Sequence, residues 1–191
     1  MEEPNKKNKQ SLMLLLLGAG LLLVAFAAFL AIPKAQATLQ TAGLAEEPTE
    51  VNFPARDVHL KDLQGRPVAF SDYAGQVIVY NAWATWCPPC TQEMPALEAY
   101  YRAHRQDGLV ILAVEDGQSP AEVMNYVNSN GLTFPVWPDP KWVATNTYGI
   151  SDLPTSYVID RGFNVRLLWL GPVSLEKLEQ YVTPFLKKGQ D

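Results

Sequence analysis

Val77-Ile78-Val79-Tyr80-Asn81-Ala82 is the stretch that leaves this chain least freedom. β-Branched and aromatic residues follow one another without polar alternation, so both faces of the strand they form must be covered. Such a strand lies inside a sheet with helices packed on either side. Leu109 to Val114 (LVILAV) repeats the pattern. Between them, a helix is predicted from about Cys87 to Arg105, with apolar positions at Met94, Leu97, Tyr100 and Tyr101. Strand, helix and strand in that order make a parallel pair.

Other elements follow from turn and cap signals. Val58–Asp62 and Pro67–Phe70 flank Leu63-Gln64-Gly65-Arg66, a hairpin with glycine in its turn. Ser119 caps a helix with Pro120 in its first turn, ending at Asn130-Gly131. A strand over Phe134–Trp137, a helix over Lys141–Tyr148 and a strand over Ser156–Asp160 come next. Arg161-Gly162 turns the chain into Val165–Leu170, and Ser174 caps a last helix running through Lys188. The expected fold is α/β, with a central mixed sheet and an antiparallel edge.

The N-terminal end is different in kind. Leu12 to Ile32 carries no charge and as a helix would span about 30 Å, the thickness of a bilayer's hydrocarbon core. Lys6, Lys7 and Lys9 precede it and only Lys34 follows closely, which predicts a cytoplasmic N-terminus and an extracytoplasmic body. The rival reading is a secretory signal cleaved after Ala35-Gln36-Ala37, but the apolar run is longer than a signal core of about 7–15 residues. The expected layout is a cytoplasmic tail over 1–11, a transmembrane anchor over 12–32 held in membrane lipid, a linker over 33–52 and a domain over 53–189. A net charge of −5 gives no basic field for nucleic acid.

Both cysteines of the chain, Cys87 and Cys90, stand three positions apart. As a staple the pair would close too short a loop to remove much unfolded-state entropy. As a metal site it lacks ligands: His59 and His104 complete the supply, and His104 falls about four turns down the helix that Cys87 opens. Both histidines read as solvated surface. A reactive dithiol fits better. Cys87 follows a strand and opens a helix, where backbone N–H groups and the macrodipole favour a thiolate at an exposed tip. Cys90, one turn on, can resolve the mixed disulfide, and C-x-x-C beside a βαβ pattern is itself a redox signal.

With Trp83, Ala84, Trp86-Cys87-Pro88-Pro89-Cys90, Glu93, Pro95, Tyr148-Gly149-Ile150, Leu153-Pro154-Thr155, Gly171 and Ser174 in this order, the sequence resembles the thioredoxin superfamily. It is most similar to the membrane-anchored TlpA/ResA-like thiol–disulfide oxidoreductases, over about Phe53 to Leu186. The resemblance implies a thioredoxin fold with an N-terminal β-hairpin and a central insert of one helix and one strand, read here as an extension of the sheet. It implies that Pro154 is cis and sets the Leu153 backbone beside Cys87, where an extended substrate could pair as an added strand. Trp86 is read as an apolar apron for substrate, Trp83 and Tyr80 as core, and Pro95 as a kink. Nothing assigns Trp137 or Trp142 a role.

Thioredoxins carry a buried carboxylate where this chain has Asn81, so Glu93, three residues after Cys90 on a neighbouring helical face, becomes the candidate proton acceptor. Pro88 and Pro89 remove two N–H donors that could stabilise a Cys87 thiolate, which favours a reductant over a strong oxidant. No organic cofactor and no metal is expected. The expected partners are protein disulfides, such as the haem-binding cysteines of an apocytochrome c or a copper-site protein, with electrons from a transmembrane reductase. Two other functions compete with this reading. A thiol peroxidase of the redoxin or AhpC/TSA type needs Pro-x-x-x-Thr-x-x-Cys, which the residues before Cys87, Tyr80 and Thr85 included, do not supply. A copper-binding assembly factor needs C-x-x-x-C with a distant histidine, and the spacing here is one residue short.

Overall fold

The strand Val77–Trp83 does run through the middle of a sheet in residues 47–187, the part of the chain that the computed structural model describes. The tail and anchor expected over 1–32, most of the linker and the last four residues lie outside the described residues. Among the described residues no helix is long and apolar enough to cross a membrane.

In chain order the elements are β1 (Thr49–Pro54), β2 (His59–Lys61), β3 (Pro67–Ala69), β4 (Val77–Trp83), α1 (Pro88–His104), β5 (Leu109–Asp116), α2 (Pro120–Asn130), β6 (Val136–Asp139), α3 (Val143–Tyr148), β7 (Thr155–Ile159), β8 (Asn164–Leu170), α4 (Leu175–Tyr181) and α5 (Thr183–Lys187). Six strands form the sheet in the order β1-β8-β7-β4-β5-β6, and β2 and β3 form the separate hairpin. β4 runs parallel to β5, from Val77 opposite Leu109 to Trp83 opposite Glu115, and antiparallel to β7. The strand of the insert, β6, pairs parallel with β5 and extends the sheet.

Every residue of β4 is buried, and successive side chains enter different cores. Val77, Val79 and Trp83 pack with Met94, Leu97 and Tyr100 of α1 and Leu178 of α4. Ile78, Tyr80 and Ala82 pack with Phe70, Leu112, Trp137 and Tyr157. Asn81 lies between Val79 and Trp83 in this alternation, so it shares the face covered by α1. That places the one polar residue of β4 against the helix that the cysteines open.

Several boundaries differ from expectation. Thr49–Asn52, assigned to the linker, begin β1, an edge strand that pairs with β8 and buries little of itself. Phe134 enters the core beside α1 instead of the strand, which starts two residues later at Val136. Pro135, with no N–H of its own, still accepts a hydrogen bond from the Ala113 amide. The last helix breaks into α4 and α5 because Pro184 cannot donate to the turn before it. Pro95 lies inside α1, which continues past it to His104.

At α2 the cap is reciprocal: the Glu122 amide donates to Ser119 Oγ at 3.4 Å, and the Ser119 amide donates to Glu122 Oε2 at 3.0 Å. Ser119→Ala should therefore destabilise the domain by about 1 kcal/mol, read as a lower urea midpoint with unchanged slope.

Candidate active site

Cys87 is the N-cap of α1. Its backbone is extended, and Pro88 and Pro89 occupy the first two helical positions, where a missing N–H leaves no intrahelical bond unmade. The first amide free to point back is that of Cys90, which donates to Cys87 Sγ at 3.3 Å. The two sulfurs form a disulfide, with S–S 2.09 Å and Cα–Cα 5.3 Å. Cys90 is completely buried, whereas Cys87 keeps 5% of its surface. The exposed tip expected from the sequence is thus a nearly covered sulfur.

What remains open is a cleft of about 340 Å³ lined by Trp86, Cys87, Asp116, Ile150 and Leu153, among others. Trp86 is 66% exposed, while Trp83 and Tyr80 are fully buried as expected. Leu153 reaches the cleft with Cys87. The Leu153–Pro154 bond is cis, and the Pro154 carbonyl accepts from the Gly171 amide at 2.9 Å. A larger cavity of about 510 Å³, between the hairpin and β6, involves neither cysteine.

Glu93 is 2% exposed, one turn beyond Cys90. Its Oε1 accepts from Asn81 Nδ2 at 2.8 Å and its Oε2 from the Val173 amide at 2.8 Å; Asn81 also donates to Ser156 Oγ at 2.9 Å. Burial raises its pKa to about 7, only partly offset by those two hydrogen bonds. A carboxyl held at that value can take a proton and return it near neutrality. Asn81, where relatives of the wider superfamily have an acid, here fixes the acid supplied by α1.

Sequence reasoning missed three carboxylates at the ends of β5 and β6. Glu115 is fully buried; its Oε2 accepts from the Gln118 amide at 3.0 Å, and burial raises its pKa to about 7. The Thr85 backbone also donates to it, and Thr85 Oγ1 bonds Gln118 Oε1, so Glu115 braces the loop that leads to Cys87. Asp116 accepts from Thr145 Oγ1 at 2.9 Å, and buried Asp139 accepts from the Ala144 amide at 2.7 Å. An acid closing an otherwise apolar strand, as in LVILAVED, was the available signal. The histidines stand elsewhere: His59 with Asp57, and His104 between Asp107 and Glu179. Among the described residues no three His, Cys, Asp or Glu side chains are grouped to hold a metal.

A mixed sheet, a helix opened by C-x-x-C and a cis-proline directly after the Leu153 of its cleft define a thioredoxin-fold dithiol protein. More particularly, residues 51–168 match the AhpC/TSA family, and the chain belongs to it. It is 36% identical over 132 residues to the thiol-disulfide oxidoreductase ResA of Geobacillus thermodenitrificans, covering 69% of this chain and 76% of that protein. With the protein of the same name from Bacillus subtilis it shares 31% over 131 residues, 69% of this chain and 73% of the other. Among solved structures, StoA from Bacillus subtilis matches with TM-score 0.59 and 28% identity, over 68% of this chain and 98% of StoA. A thiol:disulfide interchange protein of the thioredoxin family from Chlorobium tepidum matches with TM-score 0.63 and 28% identity, over 74% and 99%. The chain is a thiol–disulfide oxidoreductase.

Proposed function

We propose that this oxidoreductase is a protein-disulfide reductase, anchored by residues 12–32 and working on the outer face of the membrane. The observation that carries the reading is the Cys87–Cys90 disulfide at the start of α1, with only Cys87 reaching an open cleft. In the reduced protein the Cys87 thiolate attacks one sulfur of a substrate disulfide, and the other leaves as a thiolate. Cys90 then gives up its proton, with Glu93 as acceptor, and attacks Cys87 Sγ. The second substrate thiolate departs, two electrons have moved to the substrate, and the Cys87–Cys90 disulfide is restored.

Direction rests on the two prolines. With Pro88 and Pro89 in the first turn, one donor, the Cys90 amide, is left to the Cys87 sulfur. A poorly stabilised thiolate makes a more reducing couple. Electrons would come from a transmembrane reductase, and substrates would include haem-binding cysteines of an apocytochrome c or thiols of a copper site. The charge pattern around the apolar run supports the placement outside the cytoplasm.

Equilibration of the full chain with glutathione buffers should give a potential below about −200 mV. A value near about −120 mV, at the strongly oxidising end of the range, would overturn the reductase direction. Protease added to intact spheroplasts should remove the domain while the N-terminal segment stays in the membrane pellet. Recovery of the whole chain in the soluble fraction would sink the anchor.

A further inference from the structure

We propose that the reactive cleft selects cysteine-bearing segments with a basic side chain next to the cysteine, through Asp116, Asp152 and Trp142. The proposal rests on the reductase reading and names the substrate class it would serve. Cys87 shares its cleft with two carboxylates, and no base lines that cleft among the described residues. Asp116 is held from Thr145 Oγ1 at 2.9 Å, and Asp152 Oδ2 accepts from Ser151 Oγ at 2.8 Å. Both partners are neutral hydroxyls, so among the described residues no cation in the cleft neutralises the two carboxylates, and a substrate base would do so. Burial and the neighbouring Asp139 raise the Asp116 pKa, and a bound base would offset that.

Trp142 adds a second, independent feature. Its φ is +54°, a region that non-glycine residues seldom occupy and that clusters at functional sites. Its indole lies over Gly117, directly after Asp116. A Cβ on Gly117 would fall 3.2 Å from Trp142 Nε1, and with φ at +101° the position favours glycine. Trp142 stays 51% exposed, close in sequence to Thr145 of the cleft. Trp86 within the cleft and Trp142, seated against the residue after Asp116, thus leave more than half of their indole-bearing surfaces exposed. Lysine and arginine are the side chains that carboxylates and indoles both attract. An acidic neighbour is rejected by the same charges, which sharpens the choice.

The test uses the reduced full chain in detergent and three disulfide-linked peptides that differ only in the residue after the cysteine: Lys, Ala or Glu. kcat/KM for the Lys peptide should exceed that for the Glu peptide by about tenfold or more at low salt, and the ratio should shrink as salt screens it. Asp116→Asn with Asp152→Asn should bring the ratio to within about threefold, and Trp142→Ala should slow the Lys peptide selectively. Equal rates for the three peptides with the wild-type protein, or a double variant that keeps the wild-type ratio, overturns the selectivity. Reduction of none of them counts instead against the reductase reading, and with it this one. Should the double variant fail to fold, the wild-type ratio and its salt dependence still decide.

Discussion

Replacing Cys87 by serine is expected to lower disulfide-reductase turnover by at least about 10³-fold, with the fold retained. Serine is a good N-cap, so its hydroxyl can accept from the Cys90 amide as the sulfur does now. The hydroxyl does not ionise near neutrality, however, and the attacking species is lost. Cys90 cannot substitute, because it is completely buried and the cleft reaches Cys87. Cys90→Ser has the opposite signature. Its Cys87 still attacks, nothing resolves the intermediate, and substrate proteins should accumulate as mixed disulfides on Cys87. Turnover with a protein disulfide and non-reducing gels of the trapped complexes measure the two effects. If Cys87→Ser traps partners as well as Cys90→Ser does, the roles of the two sulfurs are reversed.

What could be read from the sequence is what large local signals encode. β4 announces itself because all of its side chains are buried, and α1 because Cys87 caps it with prolines in its first turn. The Ser119 and Ser174 caps were legible for the same reason. β1 was not: it is held by backbone pairing to β8 and exposes nearly every side chain, so no apolar pattern marks it. The near-burial of Cys87 was hidden as well, since the Leu153 segment that shares its cleft comes 66 positions later in the numbering. Glu93 was found by spacing, but its environment was not. The Val173 amide that holds it comes from the loop before α4, a contact no local pattern specifies. Glu115, Asp116 and Asp139 escaped because each looks like the polar end of a strand until its neighbours are in place.

Glu93→Gln should remove a pH dependence that the buried carboxyl imposes on both stability and rate. In the unfolded chain this acid titrates near 4.5, in the folded domain at about 7. Below pH 4.5 it is protonated in both states and contributes nothing to the pH dependence. Between the two values the folded state binds the extra proton, so stability falls as pH rises, by about 3 kcal/mol in all, and levels off above pH 7. Glutamine cannot ionise, and urea titrations of the oxidised variant should lose that part of the slope. Part of the slope that remains belongs to Glu115, whose pKa is raised to the same level, with further parts from Asp116 and His104, whose pKa values are also raised. The amide fits the site tolerably: its oxygen can accept from Val173, and Asn81 Oδ1, which has no partner among the described residues, can turn to accept from its nitrogen. Glu93→Ala would instead strand the Val173 amide and Asn81 Nδ2, which keeps only Ser156, and should cost about 2–4 kcal/mol. In the reduced protein, Glu93→Gln should slow resolution by about 10²-fold and erase the inflection of the rate near pH 7. A variant that keeps both the inflection and the rate would leave Glu93 as a structural bridge from α1 to the Val173 loop, with the Cys90 proton going elsewhere.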